Sequence, residues 1–224
     1  MRLTANVINS SPCFINPIKD RELDLKGLKA PQVENLGVTK DLNDTIDLSD
    51  NEIKHLTNFP HLKRLKNLIL NNNRIQYITP NLNDALPQLT SLILTNNQLL
   101  KLIDLEPLAK FTKLNFLVLL KNPVQKDKNY RLWCIHRFPK VQILDFQRVL
   151  DKERQEARDL FLTEAGEHTS LAHSILNESA SNTFESGEGL PSTLDGNGGG
   201  IDDQLSTEEQ KRIQESIQAA SKFI

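Results

Sequence analysis

The sequence is poor in the residues that build disulfide-rich or membrane-spanning proteins. Only two of its 224 residues are cysteines, and Cys13 and Cys134 lie too far apart to suggest a disulfide framework or a cysteine-based metal site. We expect both thiols to be reduced and intracellular. No apolar run approaches the roughly 18 residues that a membrane span requires, and residues 1–13 lack the apolar core of a secretory signal. These absences predict a soluble protein of the cytoplasm or the nucleus.

Signatures of catalysis are missing as well. The chain has no glycine-rich phosphate loop, no zinc-ligand spacing and no nucleophile elbow. Its carboxylates fall at turns or near the carboxyl end, and its five histidines are scattered: His55, His61, His136, His168 and His173. The sequence therefore predicts a protein that is not an enzyme and that uses no cofactor, metal ion or small-molecule substrate.

The small net charge of −2 conceals a division along the chain. Residues 1–163 carry 24 Lys and Arg against 18 Asp and Glu, a net charge of +6, whereas residues 164–224 carry 3 against 11, a net charge of −8. A modest positive balance permits contact with phosphate groups but does not require it.

Four stretches share the pattern apolar-x-Leu-x-x-Asn-x-apolar, over residues 46–53, 68–75, 92–99 and 117–124. Their asparagines step by 22, 24 and 25 residues, which is the spacing of a leucine-rich repeat. We expect an α/β solenoid, a horseshoe of short parallel strands with helices or 3₁₀ turns on its convex side. Because an Asn side chain both donates and accepts, we expect structural roles in adjacent turns for four residues: Asn51, Asn73, Asn97 and Asn122.

Degenerate repeats at residues 23–30 and 141–146 flank the four clear ones, as capping of a solenoid requires. Six of the nine glycines fall within residues 187–200, and a capping box at Ser206–Glu209 opens a last helical pattern. Whether that helix docks on a partner stays open. The predicted divisions are an N-terminal cap at 1–22, five to six repeats at 23–147, a cap helix at 148–163, a disordered acidic Gly/Ser-rich linker at 164–205 and an amphipathic helix at 206–224.

The strand positions between and beside the repeat leucines should face outward on the concave side. Five of them are apolar and adjacent: Ile69, Ile93, Phe116, Val118 and Leu120. One interpretation is that strands simply favour such residues. The interpretation we prefer is a protein-docking surface, because contiguous exposed apolar side chains usually mark an interface.

Basic residues gather near both ends of the predicted repeat domain. They form either a solvated face or a rim that binds phosphate. The candidates for contact with RNA are Lys19, Arg21, Arg148, Lys152, Arg154 and Arg158. The rim lacks an aromatic platform, so we do not expect it to read single-stranded RNA alone.

Several motifs of the caps and the repeats are more specific than the repeat pattern, among them Arg2-Leu-Thr-Ala5, the run Arg21–Gly27 and Asp50-Asn-Glu-Ile53. Over about residues 1–162 these motifs resemble the A-prime family of the U2 spliceosomal small nuclear ribonucleoprotein. The most specific part of the resemblance is Leu144-Asp-Phe-Gln-Arg148 together with Lys152-Glu-Arg-Gln-Glu-Ala157.

This resemblance implies a nuclear, non-enzymatic spliceosome component that acts in pre-mRNA splicing. Proteins of the family hold a helix of the RNA-recognition domain of the B-double-prime protein on the concave face, and the pair binds stem-loop IV of U2 small nuclear RNA. The residues that the resemblance places at the protein contact are Asp24, Lys26, Asp47, Ile69, Asn71, Ile93, Thr95, Phe116, Val118 and Leu120.

Two other classes are compatible with leucine-rich repeats. An acidic nuclear scaffold or regulator would bind another protein without RNA, but it would need a longer acidic run than Asp202-Asp203 and Glu208-Glu209. An activator of a GTPase would need an exposed Arg or Asn acting in trans, and such activators use longer, helix-rich repeats.

Overall fold

A computed structural model of the chain describes residues 2–178, which form the repeat solenoid and its caps. Each clear repeat contributes one short strand, because Leu-x-Leu alternation suits a strand with one buried face. The strands of the described part, in chain order, are β1 (Cys13–Ile15), β2 (Arg21–Asp24), β3 (Thr45–Asp47), β4 (His55–Leu56), β5 (Asn67–Ile69), β6 (Tyr77–Ile78), β7 (Ser91–Ile93), β8 (Phe116–Val118), β9 (Ile143–Leu144) and β10 (Gln147–Arg148).

The main sheet has the order β1-β2-β3-β5-β7-β8-β9-β10. Its strands from β2 to β9 are parallel, and an antiparallel hairpin closes each end. The register aligns Leu68 with Ile46 on one side and with Leu92 on the other, and Leu92 with Leu117. All four side chains are buried in one continuous core. The predicted leucine-rich repeat solenoid is therefore confirmed.

Short helices and turns form the return segments, as the spacing of their apolar residues predicts. The 3₁₀ helices span Leu36–Thr39, Leu102–Lys110 and Pro123–Lys126. The α-helices are α1 (Ala5–Ser10), α2 (Leu82–Ala85), α3 (Tyr130–Arg137), α4 (Asp151–Phe161) and α5 (Ser170–Leu176). The strands β4 and β6 pair with each other in a small parallel sheet.

The repeat asparagines tie neighbouring turns together. The Asn97 amide nitrogen donates to the carbonyls of Leu70 (2.9 Å) and Leu94 (3.0 Å), and its oxygen accepts from the Ile75 N–H (3.0 Å). Equivalent bonds are made by Asn51, Asn73 and Asn122, all buried. These bonds satisfy backbone groups that the bend after each strand would otherwise leave unpaired, in keeping with the predicted structural role.

Helices α3 and α4 close the C-terminal end of the core. The rings of Trp133 on α3 and Phe161 on α4 are fully buried and lie edge to face, with centroids 5.1 Å apart. Helix α4 begins at Asp151, three residues after the predicted start of the cap helix at 148, and the Glu153 carboxylate caps it by accepting the Leu150 N–H at 2.9 Å.

The prediction of a disordered linker over 164–205 is wrong for its first part. Thr169 accepts a hydrogen bond from the Ala172 N–H and caps α5, and Ala172 and Ile175 are buried. Leu171 and Leu176 pack beside them, so four apolar residues give this segment a helical face that the core can cover. The rest of the predicted linker and the helix at 206–224 lie outside the described residues. No helix between residues 2 and 178 has the length and apolar character needed to cross a bilayer.

Candidate protein-docking surface

The register of the sheet places the predicted apolar side chains in one row across three strands. Ile69 on β5 is aligned with Ile93 on β7, and Ile93 is aligned with Val118 on β8. Ile69 and Ile93 are half-buried, so they present apolar surface on the concave face. Phe116 and Leu120, on the same side of the chain as Val118, are also half-buried.

Val118 departs from the expectation of an outward, exposed side chain. It lies on the predicted face, but it has no exposed surface. The physical reason is its size, since this small side chain lies between Phe116 and Leu120 along its own chain and beside Ile93 on the next strand. Val118 therefore supports its larger neighbours instead of offering area to a partner.

The apolar surface extends beyond the predicted patch toward the C-terminal cap. Ile143 is aligned with Phe116 across β8 and β9 and is exposed. Phe146, at the turn between β9 and β10, is 63% exposed, and its ring lies edge to face with that of Phe116, with centroids 5.7 Å apart. The sequence pattern put Phe146 at an inward position like that of a repeat leucine, and no glycine or asparagine indicated the tight turn that exposes it.

Asp145 also differs from its expected outward position. Its carboxylate accepts hydrogen bonds from the Leu119 N–H (2.7 Å), the Tyr130 hydroxyl (2.8 Å) and the Gln125 amide (3.1 Å). Burial raises the pKa of Tyr130 far above its ordinary value, so the hydroxyl remains a donor. These bonds fix the last turn of the solenoid against β8 and α3.

The polar flank of the patch is paired within the chain. The Lys26 ammonium lies 3.0 Å from the Asp47 carboxylate, and this hydrogen bond raises the pKa of Lys26. Asp47 is buried and accepts the Ser49 N–H at 2.9 Å, and Asp24 accepts the Lys26 N–H at 3.0 Å. Of these predicted contacts, Asp24 and Lys26 keep surface for a partner, whereas Asp47 is covered.

Two side-chain oxygens on this face have no hydrogen-bond partner among the described residues. They are the buried Oγ of Ser49 and Oδ1 of Asn71, which follow β3 and β5. Asn71 and the half-buried Thr95 were predicted contacts, whereas Ser49 was not. Sequence reasoning missed Ser49 because only the structure shows which polar groups are left unpaired.

The basic candidates lie at the two ends of the sheet. Lys19 and Arg21 are exposed in the β1–β2 hairpin, whereas the others lie at the C-terminal end, where the phosphate-binding rim was predicted. There, Arg148, Lys152 and Arg158 are exposed. Lys152 lies 3.6 Å from Glu156.

Arg154 differs from the other RNA candidates because it is half-buried. Its guanidinium donates to the backbone carbonyls of Pro139 (3.0 Å) and Val141 (2.6 Å). These two bonds serve the packing of α4 on the end of the repeats, and they leave three of the five guanidinium N–H donors for other partners.

Comparison with known proteins agrees with this architecture. The leucine-rich repeat family model matches residues 1–175. A probable U2 small nuclear ribonucleoprotein A′ of Drosophila melanogaster is 44% identical over 99% of this chain and 83% of its own length. The U2 small nuclear ribonucleoprotein A′ of Homo sapiens is 51% identical over 85% of this chain and 73% of its own.

A solved structure gives the same result. The crystal structure of the Drosophila melanogaster SNF/U2A′ complex contains a chain that is 52% identical to this one, with a TM-score of 0.72. The match covers 74% of this chain and 95% of that chain. These identities extend over the repeats and the caps, and they confirm the resemblance seen in the sequence. The chain belongs to the U2 small nuclear ribonucleoprotein A′ family of leucine-rich repeat proteins.

Proposed function

We propose that this chain is a non-enzymatic nuclear component of the U2 small nuclear ribonucleoprotein that acts in pre-mRNA splicing. Its concave face holds the RNA-recognition domain of a B-double-prime-type protein, and the pair binds stem-loop IV of U2 small nuclear RNA. The observation that carries this function is the apolar row of Ile69 and Ile93 with Phe116 and Leu120, which the described part of the chain leaves uncovered.

The shape and chemistry of the face favour a helix as the element that docks. The curved sheet is lined by apolar side chains at its centre and by Asp24 and Lys26 on one flank. An amphipathic helix can lay an apolar stripe against such a centre and meet the charged flank with its polar edge. The SNF/U2A′ complex supports a protein partner for this face, because a relative with 52% identity forms a complex with another protein.

RNA contact is secondary in this proposal. The exposed Arg148, Lys152 and Arg158 lie at one end of the domain, where they can meet the phosphates of an RNA stem that the partner holds. Contacts of this kind position an RNA without reading its bases. Base recognition therefore belongs to the RNA-recognition domain.

The experiment is a pull-down from nuclear extract with the full chain, followed by sequencing of the RNA that co-purifies. We expect a B-double-prime-type protein and U2 small nuclear RNA with the natural chain. With Ile93→Arg, both should disappear together, because the RNA comes with the partner. Recovery of neither from the natural chain, or of both with the variant, would contradict the proposed function.

A further inference from the structure

The turn between β9 and β10 places a bulky aromatic residue in an unfavourable backbone conformation. Its two central residues, Asp145 and Phe146, both have positive φ angles, 53° and 61°. Two-residue hairpin turns of this kind favour glycine and asparagine, whereas the left-handed region disfavours a bulky side chain. Such strain persists only where surrounding contacts over-determine the conformation, and it is found mostly at functional positions.

The contacts that impose this conformation belong to Asp145 and not to Phe146. The Asp145 carboxylate accepts from the Leu119 N–H and the Tyr130 hydroxyl, and the Asp145 N–H donates to the Leu117 carbonyl at 2.9 Å. With Asp145 fixed in this way, the next side chain has to leave the sheet. The ring of Phe146 is consequently 63% exposed instead of joining the core.

The exposed ring adjoins the docking surface. It lies edge to face with Phe116, with centroids 5.7 Å apart, and Phe116 is aligned with the exposed Ile143. Beside it is an open depression of about 600 Å³, whose lining includes Ile143, Arg148, Asp151 and Arg154. Because Phe146 lies against Phe116 and is more exposed, a protein that covers Phe116 also meets Phe146.

We propose that Phe146 is an anchor of the interface with the protein partner, held out by the strained turn so that its ring is buried when the partner docks. The inference rests on the proposed function and adds a residue outside the predicted patch. Rigid aromatic anchors contribute a large share of binding energy in many interfaces, since they bury much area and sacrifice little conformational freedom.

A protein fits this position better than RNA does. A stacking site for a nucleobase would pair the ring with cationic groups that can reach phosphate. Here Arg148 lines the depression and can reach phosphate, but the Asp151 carboxylate beside it opposes an anion. The Arg154 guanidinium is held by the Pro139 and Val141 carbonyls. The ring is instead continuous with apolar surface on Phe116 and Ile143.

The test is Phe146→Asn, because asparagine suits a positive φ but removes the ring. Titration of the full chain with the RNA-recognition domain of the B-double-prime protein should show a Kd weakened by roughly tenfold or more. The midpoint of urea unfolding of the free chain should stay unchanged or rise. Phe146→Tyr should keep the natural affinity, and Leu100→Asn, which removes another exposed apolar side chain, should change nothing.

Three results would overturn the inference. One is a natural Kd for Phe146→Asn, and another is a weaker affinity that appears only when stem-loop IV RNA is added, which would assign the ring to RNA. The third is a lower unfolding midpoint for both Phe146→Asn and Phe146→Gly, with affinity falling in parallel, which would make Phe146 structural. Ile93→Arg, measured in the same titration, separates the inference about Phe146 from the proposed function. If Ile93→Arg also leaves the Kd unchanged, the proposed function fails as well.

Discussion

The ammonium of Lys26 lies 3.0 Å from the carboxylate of Asp47 on the neighbouring repeat, and Asp47 is only 3% exposed. The two residues were expected to meet a partner separately, yet they satisfy each other. A buried carboxylate needs such compensation, because leaving water is costly for a charge. The charged flank of the docking surface is thus prearranged within the free chain.

This pairing predicts a measurable coupling in stability. Lys26→Met should lower the free energy of unfolding by about 1 kcal/mol, a modest value because Lys26 is itself exposed. Adding Asp47→Asn to that variant should restore part of the stability, since the uncompensated charge is then gone. Urea unfolding of the two single variants and the double variant gives the coupling. Strictly additive effects would show that the ion pair contributes nothing.

The asparagine ladder predicts a much larger effect at Asn97. Replacement by alanine leaves the buried Ile75 N–H without its partner, whereas the Leu70 and Leu94 carbonyls each lose one hydrogen bond and keep another, from Asn73 and Asn122. An unsatisfied buried group costs about 1–3 kcal/mol and each lost hydrogen bond about 1 kcal/mol, so the free energy of unfolding should fall by about 3 kcal/mol. Asn115→Ala, at an exposed position, is the matched control and should have little effect. Equal stabilities of the two variants would refute the structural role.

The basic residues at the C-terminal end of the domain predict a change in the salt dependence of RNA binding without a change in affinity for the protein partner. Arg148→Gln combined with Lys152→Gln should weaken binding of stem-loop IV RNA by the preformed protein pair. The slope of log K against log salt should become shallower by about one for each RNA phosphate that the variant no longer neutralises. Protein pairing and the unfolding midpoint should not change, because both side chains are exposed. If the slope of the variant equals that of the natural chain, these two residues are excluded from the RNA interface.

Arg154 should behave differently from its neighbours on α4. Because its guanidinium holds two carbonyls, its removal is expected to lower fold stability first. The unfolding midpoint of Arg154→Ala should therefore be measured together with its RNA affinity. This separates a loss of folded protein from a loss of RNA contact.

His136, which lies on α3 with its ring beside Phe161, predicts a dependence of stability on pH. Burial, and secondarily the neighbouring His168, lower the pKa of His136. The unfolded chain, with an ordinary histidine pKa of about 6.5, then takes up this proton before the folded chain does. The free energy of unfolding should consequently fall as the pH drops from about 7 to about 5. His136→Gln should make this fall less steep in urea unfolding at each pH, and an unchanged slope would contradict the assignment.

The periodic parts of the fold could be predicted from sequence because their causes are local and repeated. The leucines at Leu68 and Leu92 and the asparagines that follow them set the strand, the bend and the register together. The position of Ile93 on the concave face follows from the same alternation.

The departures come from contacts between residues far apart in the chain. Arg154 reaches back to the Pro139 carbonyl, and Phe146 is exposed because Asp145 is held by residues of β8 and α3. Val118 lies beside Ile93 of the preceding repeat as well as between larger side chains of its own chain. Helix α5 has only seven residues, so the helical spacing of its apolar side chains needs the core to hold it. In each case the exposure or the structure of the residue depends on a contact outside its local sequence pattern.

The most direct measurement is the affinity of Ile93→Arg for the RNA-recognition domain of the B-double-prime protein. A charge at the centre of the apolar row would be buried without a partner, so the Kd should weaken by roughly a hundredfold or more. The unfolding midpoint should fall only slightly, because Ile93 is half-buried on the concave face, where the longer Arg side chain can reach solvent in the free chain. Thr112→Arg, at an exposed site off the sheet, should bind as the natural chain does. A natural Kd for Ile93→Arg would contradict docking on the concave face.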